Sequence, residues 1–234
     1  MEKRIIAIGG GEIRNKTTLE IDRYVAELAK AHAGEVRANA LFLGTASHDS
    51  MPYFNSFRKT YTSVFDIKAE VGLMVYGEMS VEKIADKIDK ADCIYIGGGD
   101  TVYMLERWKE LGVDKMILDA YEKGKIICGL SAGAICWFTD MYTDYEIMRG
   151  QSSDYVLKKG LGVLKGCMCP HFNEREQDFT KAMKTSNVPF AYAIENDCAL
   201  EFVNGELTKV ISSGGKAYTL TNANGEIEKK EIIL

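Results

Sequence analysis

Short apolar strands alternate with helical segments through residues 1–135, and this alternation constrains the fold more than any other feature. Strand-like runs occur at residues 4–8, 40–43, 66–74, 93–96 and 126–128. Most of them lack the polar alternation of a half-exposed strand, which is typical of a parallel sheet covered on both faces. The sequence therefore predicts an α/β fold with a mostly parallel central sheet and helices on both faces.

The pattern changes in the C-terminal part of the chain. Residues 139–160 are polar and aromatic without a clear period, which predicts a long functional loop. Asn204-Gly205 and Asn224-Gly225 each lie between strand-like runs, a strong hairpin signal. We expect residues 190–234 to form an antiparallel β-hairpin extension of the same sheet, and residues 1–234 to form a single domain.

Composition excludes several classes of protein. The longest apolar runs reach about five residues, whereas a membrane span needs about 20. The net charge is −5 and basic residues are not clustered, so nucleic acid is not expected as a partner. No secretory signal is visible and the six cysteines are dispersed, which predicts a cytoplasmic protein with reduced thiols.

The sharpest motif is Gly129-Leu130-Ser131-Ala132-Gly133, which follows a buried strand and opens a helix. A serine in this strand–turn–helix context is typical of a nucleophile elbow, where small neighbours permit a sharp turn. The sequence therefore predicts that Ser131 is a nucleophile.

A catalytic serine needs a base, because its free hydroxyl is a poor nucleophile at neutral pH. Of the three histidines, His171 directly follows a strand and precedes a helix, where a parallel sheet delivers catalytic groups. We therefore predict His171 as the base. The third member should be a carboxylate that orients the imidazole, and the acids between serine and histidine leave four candidates open: Asp140, Asp144, Glu146 and Asp154.

An oxyanion hole needs two N–H donors, and one is usually the residue after the nucleophile, here Ala132. The second donor is expected from Gly97-Gly98-Gly99, because glycine lets the backbone approach a tetrahedral intermediate closely.

Three motifs together resemble the peptidase E and cyanophycinase family of serine peptidases, in order and in spacing. They are Gly97-Gly98-Gly99-Asp100-Thr101, Gly129-Leu130-Ser131-Ala132-Gly133-Ala134 and Pro170-His171-Phe172. The resemblance implies a class I glutamine amidotransferase-like (flavodoxin-like) fold and a serine exopeptidase or dipeptidase acting on small peptides. It also implies Ser131 as nucleophile, His171 as base, and Gly99 and Ala132 as oxyanion donors.

The resemblance places the acid a short way beyond the serine, which favours Glu146, with Asp144 next. It raises the question of N-terminal aspartate or β-aspartyl substrates. Peptidase E has asparagine where Asp100 stands, and Asp100 would repel a substrate carboxylate unless another group neutralises it. Arg149 and Arg175 are candidate partners for an acidic substrate, so substrate binding is assigned to Asp100, Arg149 and Arg175.

No cofactor and no metal are predicted. The match of Gly9 and Gly11 to a dinucleotide-binding loop fails because Arg14 stands where the third glycine belongs. Cys167 and Cys169 precede His171 without a second ligand pair, which disfavours zinc. A conventional α/β-hydrolase is disfavoured because the chain between serine and histidine is too short for that fold's elements.

Two questions stay open at this stage. The chain could form a homodimer, which the sequence does not decide. It could also be a non-catalytic module that binds a small molecule or partner on a glutamine amidotransferase-like fold.

Overall fold

The computed structural model describes residues 2–77, 79–186 and 188–234, which form two sheets flanked by helices. The strands are β1 (Arg4–Ile8), β2 (Asn39–Leu43), β3 (Lys68–Gly72), β4 (Cys93–Ile96), β5 (Ile126–Leu130), β6 (Phe138–Thr143), β7 (Val156–Lys159), β8 (Leu164–Cys169), β9 (Phe190–Ile194), β10 (Cys198–Val203), β11 (Glu206–Ser212), β12 (Ala217–Ala223) and β13 (Glu226–Glu231). The helices are α1 (Leu19–Ala33), α2 (Met51–Ser63), α3 (Val81–Lys90), α4 (Thr101–Leu111), α5 (Val113–Glu122), α6 (Ala132–Ile135), α7 (Tyr145–Met148) and α8 (Phe172–Thr185), with a 3₁₀ turn at Thr45–Ser47.

The first sheet has seven strands in the order β11-β10-β1-β5-β4-β2-β3. Strands β1, β5, β4, β2 and β3 are parallel, and β10 joins them antiparallel to β1. Every residue of β2, β4 and β5 is buried, as continuous apolar runs predict. The predicted α/β class and parallel central sheet are confirmed.

The C-terminal part differs from the prediction in one respect. Only β10 and β11 extend the first sheet, whereas β9, β12 and β13 belong to a second sheet of six strands, ordered β13-β12-β9-β8-β6-β7. Both predicted hairpins are present: Asn204 and Gly205 connect β10 to β11, and Asn224 and Gly225 connect β12 to β13, all with positive φ.

The prediction of a loop over residues 139–160 is wrong for much of its length. Strand β6 pairs with β8 in parallel and with β7 in an antiparallel ladder, and α7 lies between β6 and β7. Strand β7 is an edge strand whose four residues are half-buried or exposed. Such a short, partly exposed segment leaves little apolar pattern for a sequence to display.

Serine side chains cap two of the helices. The hydroxyls of Ser50 and Ser80 accept backbone N–H groups at the starts of α2 and α3. Helix α1 begins at Leu19 without a side-chain cap, and the Thr17 hydroxyl donates to Oδ1 of Asp197 at 2.5 Å.

The two sheets share one apolar cluster. It includes Ile5 and Ile127 from the first sheet and Phe138, Met168 and Ala217 from the second. This packing brings together the carboxyl ends of β1, β4, β5, β8 and β9, and the loops that follow these strands lie side by side. In the described part of the chain no helix is long and apolar enough to cross a membrane.

Candidate active site

Ser131 occupies a strained turn between β5 and α6. Its backbone has φ 50° and ψ −105°, a left-handed conformation that non-glycine residues rarely adopt. Its N–H donates to the carbonyl oxygen of Ile8 on β1 at 2.9 Å. A Cβ at Gly129 would lie 1.9 Å from the Gly133 carbonyl oxygen, and one at Gly133 would lie 2.2 Å from that of Ile96. The two glycines are therefore required by close backbone packing around the serine.

The imidazole of His171 contacts this serine directly. Its Nε2 lies 2.9 Å from the Ser131 Oγ, and the ring is part-buried. His171 follows β8, has φ 50°, and is held by its own N–H, which donates to the Gly9 carbonyl oxygen at 2.9 Å. The structure thus brings together the predicted nucleophile and the predicted base at hydrogen-bond distance.

The other ring nitrogen of His171 faces an amide and no carboxylate. Its Nδ1 lies 2.6 Å from Oδ1 of Asn196, which stands in the loop after β9. An amide oxygen only accepts hydrogen bonds, so Nδ1 carries the proton and Nε2 is left to accept from the Ser131 hydroxyl.

Asn196 is itself held from two sides. Its Nδ2 donates to Oε1 of Glu174 at 2.5 Å, and its backbone N–H donates to Oδ1 of Asn173 at 2.9 Å. The contact with Glu174 fixes the orientation of the amide, so that the oxygen faces the imidazole.

The acid predicted as third member does not occupy that place. Glu146 Oε1 accepts from the Tyr145 hydroxyl at 2.6 Å, and Asp144 pairs with Arg175. Among the residues that the structure describes, none of Asp140, Asp144, Glu146 and Asp154 is hydrogen-bonded to His171. The carboxylate nearest to the imidazole along the hydrogen bonds is that of Glu174, one amide away.

Sequence reasoning missed Asn196 because it considered only ionisable residues between the serine and the histidine. A topological signal was available, since β9 runs parallel to β8 in the sheet and both strands end at the same edge. A polar residue directly after β9 therefore lies beside the residue that follows β8.

Gly9 and Gly10, which follow β1, pack closely against the segments that carry His171 and Asn196. A Cβ at Gly10 would lie 2.4 Å from Nδ1 of His171 and 2.0 Å from Oδ1 of Asn196, and one at Gly9 would lie 2.4 Å from the Glu195 carbonyl oxygen. The Gly-rich start of the chain therefore lets the backbone pack against the imidazole and its amide partner.

Two backbone N–H groups next to Ser131 lack partners. Within residues 2–77, 79–186 and 188–234, no acceptor is hydrogen-bonded to the N–H of Gly99 or of Ala132. The N–H of Gly98 is different, because it donates to the Tyr53 hydroxyl at 3.4 Å. Gly99 has φ 137°, and a Cβ there would lie 2.2 Å from the Ala46 carbonyl oxygen, so this loop also requires glycine. The two free donors match the positions that the sequence predicts for an oxyanion hole.

The three residues predicted to bind substrate are engaged in internal ion pairs. Arg149 Nε lies 2.6 Å from Oδ2 of Asp100, a buried carboxylate whose Oδ1 also accepts the N–H of Tyr103 at the start of α4. Arg175 is 5% exposed and its Nη2 lies 2.8 Å from Oδ2 of Asp144. The Nε and Nη1 of Arg175 are buried without a hydrogen-bond acceptor in the described part of the chain.

A cavity of about 630 Å³ opens onto this site. Its lining includes Ser131, His171, Gly98 and Gly99, together with Asp144, while Asp100, Arg149 and Arg175 are not part of its lining. The remaining lining residues are Gly11, Glu12, Ile13, Arg14, Pro52, Tyr53, Ser56, Leu130 and Met148. A cavity of this size accommodates a small organic molecule.

Comparison with known proteins decides the family. The model of Peptidase family S51 matches residues 5–210. The chain belongs to this family. A peptidase of Bacillus subtilis (strain 168), YgaJ, described as uncharacterized, is 31% identical over 231 residues, which cover 96% of this chain and 95% of that protein.

Further relatives agree with this assignment. Peptidase E of Salmonella arizonae is 33% identical over 107 residues, covering 44% of this chain and 46% of that one. A crystal structure of a peptidase from an acI-B1 Actinobacterium has the same fold, with a TM-score of 0.70 and 15% identity over 100% of this chain and 98% of that one. The S51 chain is a serine peptidase, and the predicted resemblance to the peptidase E family is confirmed.

The environment of His171 gives a prediction for pH dependence. Burial lowers the pKa of His171 below its usual 6.5, and the charge of Arg175 lowers it further, against the opposing effects of Asn196, Glu174 and Asp144. As the predicted general base, His171 must be neutral to accept a proton, so activity should rise with pH through a midpoint below 6.5 and stay level across neutrality. We expect this profile for the rate at which a fluorophosphonate probe labels Ser131. A midpoint above pH 7 would contradict it.

Proposed function

We propose that this S51 peptidase is an exopeptidase that hydrolyses dipeptides and other small peptides through an acyl-enzyme on Ser131. The observation that carries the proposal is the 2.9 Å contact between His171 Nε2 and Ser131 Oγ at a strained turn. A serine held in this way, beside unpartnered N–H donors and a cavity, is suited to acyl transfer.

The residues would act in the following order. His171 Nε2 takes the proton of the Ser131 hydroxyl as its oxygen attacks the scissile carbonyl carbon. The N–H groups of Gly99 and Ala132 stabilise the oxyanion, and His171 returns the proton to the leaving amine. A water molecule, deprotonated by His171, then attacks the acyl-enzyme and releases the second product.

In this proposal Asn196 takes the place of the predicted acid. It accepts the Nδ1 proton of His171 and keeps the ring in the tautomer that leaves Nε2 free, while Glu174 orients the amide. The Ser131–His171–Asn196 set would support an imidazolium less strongly than a carboxylate would, because the amide is neutral.

We propose small acidic peptides as the substrate class. The charge of Asp100 would repel a substrate carboxylate, but Arg149 lies 2.6 Å from it and offsets that charge. Arg175 is buried with two N–H groups that have no acceptor among the described residues. Neither arginine lines the cavity, so the proposal of an N-terminal aspartate or a β-aspartyl linkage rests on the resemblance to the peptidase E family.

The proposal can be tested on the purified protein with two measurements. We expect a fluorophosphonate probe to label Ser131, and we expect hydrolysis within a dipeptide panel that includes Asp-Xaa and β-Asp-Xaa members. Peptide mapping identifies the labelled residue. A protein that resists the probe but binds small acidic peptides would instead be a binding module on this fold, and the proposal would be wrong.

A further inference from the structure

The cavity beside Ser131 is lined by one positively charged side chain that takes no part in the ion pairs described above. Among its lining residues in the described part of the chain, Arg14 is the only lysine or arginine. No hydrogen bond, ion pair or ring contact of Arg14 occurs within residues 2–77, 79–186 and 188–234. Arg14 is exposed, and an arginine on a cavity wall whose donors have no acceptor among the described residues is suited to binding a planar carboxylate through two hydrogen bonds.

The backbone that carries Arg14 is held in place. Residues 12–17 form a compact turn, in which the N–H of Thr17 donates to the Glu12 carbonyl oxygen at 3.2 Å and the N–H of Glu12 donates to the Thr17 hydroxyl at 2.9 Å. Ile13 is 3% exposed and anchors the turn in the apolar core. The Thr17 hydroxyl then donates to Asp197, next to Asn196, so the turn is fixed to the loop that holds the histidine.

The turn lines the same cavity as His171. His171 must reach the leaving nitrogen to protonate it, so the leaving residue lies beside the imidazole. The Gly9–Gly11 backbone that leads into the turn packs against this same imidazole, since the His171 N–H donates to Gly9 and a Cβ on Gly10 would collide with Nδ1. Arg14 therefore lies four residues beyond backbone that packs against the imidazole, and it lines the same cavity as His171.

We propose that Arg14 binds the free α-carboxylate of the leaving residue, and thereby selects dipeptides over longer or amidated peptides. This inference rests on the proposed function. A dipeptide presents that carboxylate one residue beyond the cleaved bond, whereas a longer peptide presents a neutral amide there.

The test compares the dipeptide that the panel shows to be cleaved best with its C-terminal amide. We expect the wild-type kcat/KM to be about tenfold or more higher for the free acid, mainly through KM, because the amide cannot form the charged contact. In Arg14→Ala the ratio between acid and amide should fall towards one, and Arg14→Lys should keep part of it. Arg37→Ala is the matched control. Arg37 pairs with Asp66 and lies just before β2, at the end of the sheet opposite to the cavity.

The outcomes separate this inference from the proposed function. If Arg14→Ala keeps the wild-type ratio, or loses activity equally on acid and amide, the carboxylate assignment is wrong while the peptidase proposal stands. The second result would place Arg14 against a substrate side chain or in a structural role. Fluorophosphonate labelling of the variant shows whether Ser131 and His171 are still assembled. A wild-type protein that cleaves no member of the panel would overturn the proposed function, and this inference with it.

Discussion

Replacing Ser131 by alanine is expected to lower kcat for the best-cleaved dipeptide by about 10⁶-fold, and replacing His171 by alanine should cost about as much. In the proposed mechanism the two side chains act as one unit across a 2.9 Å contact, so neither is expected to accelerate the reaction alone. The double variant should therefore be no slower than either single one. Residual activity above the uncatalysed rate would come from Gly99, Ala132 and substrate binding.

Matched controls make this result specific. Ser63→Ala removes an exposed hydroxyl at the end of α2, and His32→Ala removes an exposed imidazole that pairs with Asp92 at 2.8 Å. Both should keep wild-type rates. If Ser131→Ala keeps more than a tenth of wild-type activity after purification by size and charge, the nucleophile is another group.

Replacing Asn196 by alanine is the second large effect, and we expect kcat to fall by about 10² to 10⁴-fold. Without the amide oxygen, nothing on that side holds the proton on Nδ1, and the wrong tautomer of His171 becomes accessible. Asn55→Ala on the exposed face of α2 is the control and should be neutral. Wild-type kinetics in Asn196→Ala would show that the 2.6 Å contact with Nδ1 has no catalytic role.

Glu174 provides a sharper form of this experiment. Asn196→Asp alone puts two carboxylates at the 2.5 Å contact that Nδ2 now makes, so we expect it to be impaired. Adding Glu174→Gln exchanges the positions of amide and carboxylate and should restore kcat to within about tenfold of wild type. The restored variant places a full charge beside Nδ1, so its acidic pH limb should move upward. A role in folding alone would leave that limb unchanged.

The sequence was most informative where burial and chemistry are local. Strands such as β2 and β4 were predictable because all their residues are buried, and Ser131 was predictable because its turn requires Gly129 and Gly133 nearby in sequence. His171 followed from its place after a strand. These features need no knowledge of how distant segments pair.

The remaining features depend on distant pairings. Asn196 meets His171 only because β9 joins β8 in parallel, and an amide carries no signal to a search for acids. Arg149 and Arg175 were assigned to substrate on their charge alone, whereas each pairs with an aspartate distant in sequence. The second sheet was missed in part because an edge strand such as β7 shows no apolar period.

The packing of Gly9 and Gly10 against the histidine segment links the assembly of the site to the folding of distant parts of the chain. Gly9 and Gly10 follow the first strand, yet they contact His171 and Asn196, which are synthesised much later. Strand β1 is also covered on one side by β10, near the end of the chain. During synthesis Ser131 is therefore made before His171, and before the segments that hold the imidazole at its hydroxyl. In the proposed mechanism, hydrolysis therefore requires that these distant segments have packed together.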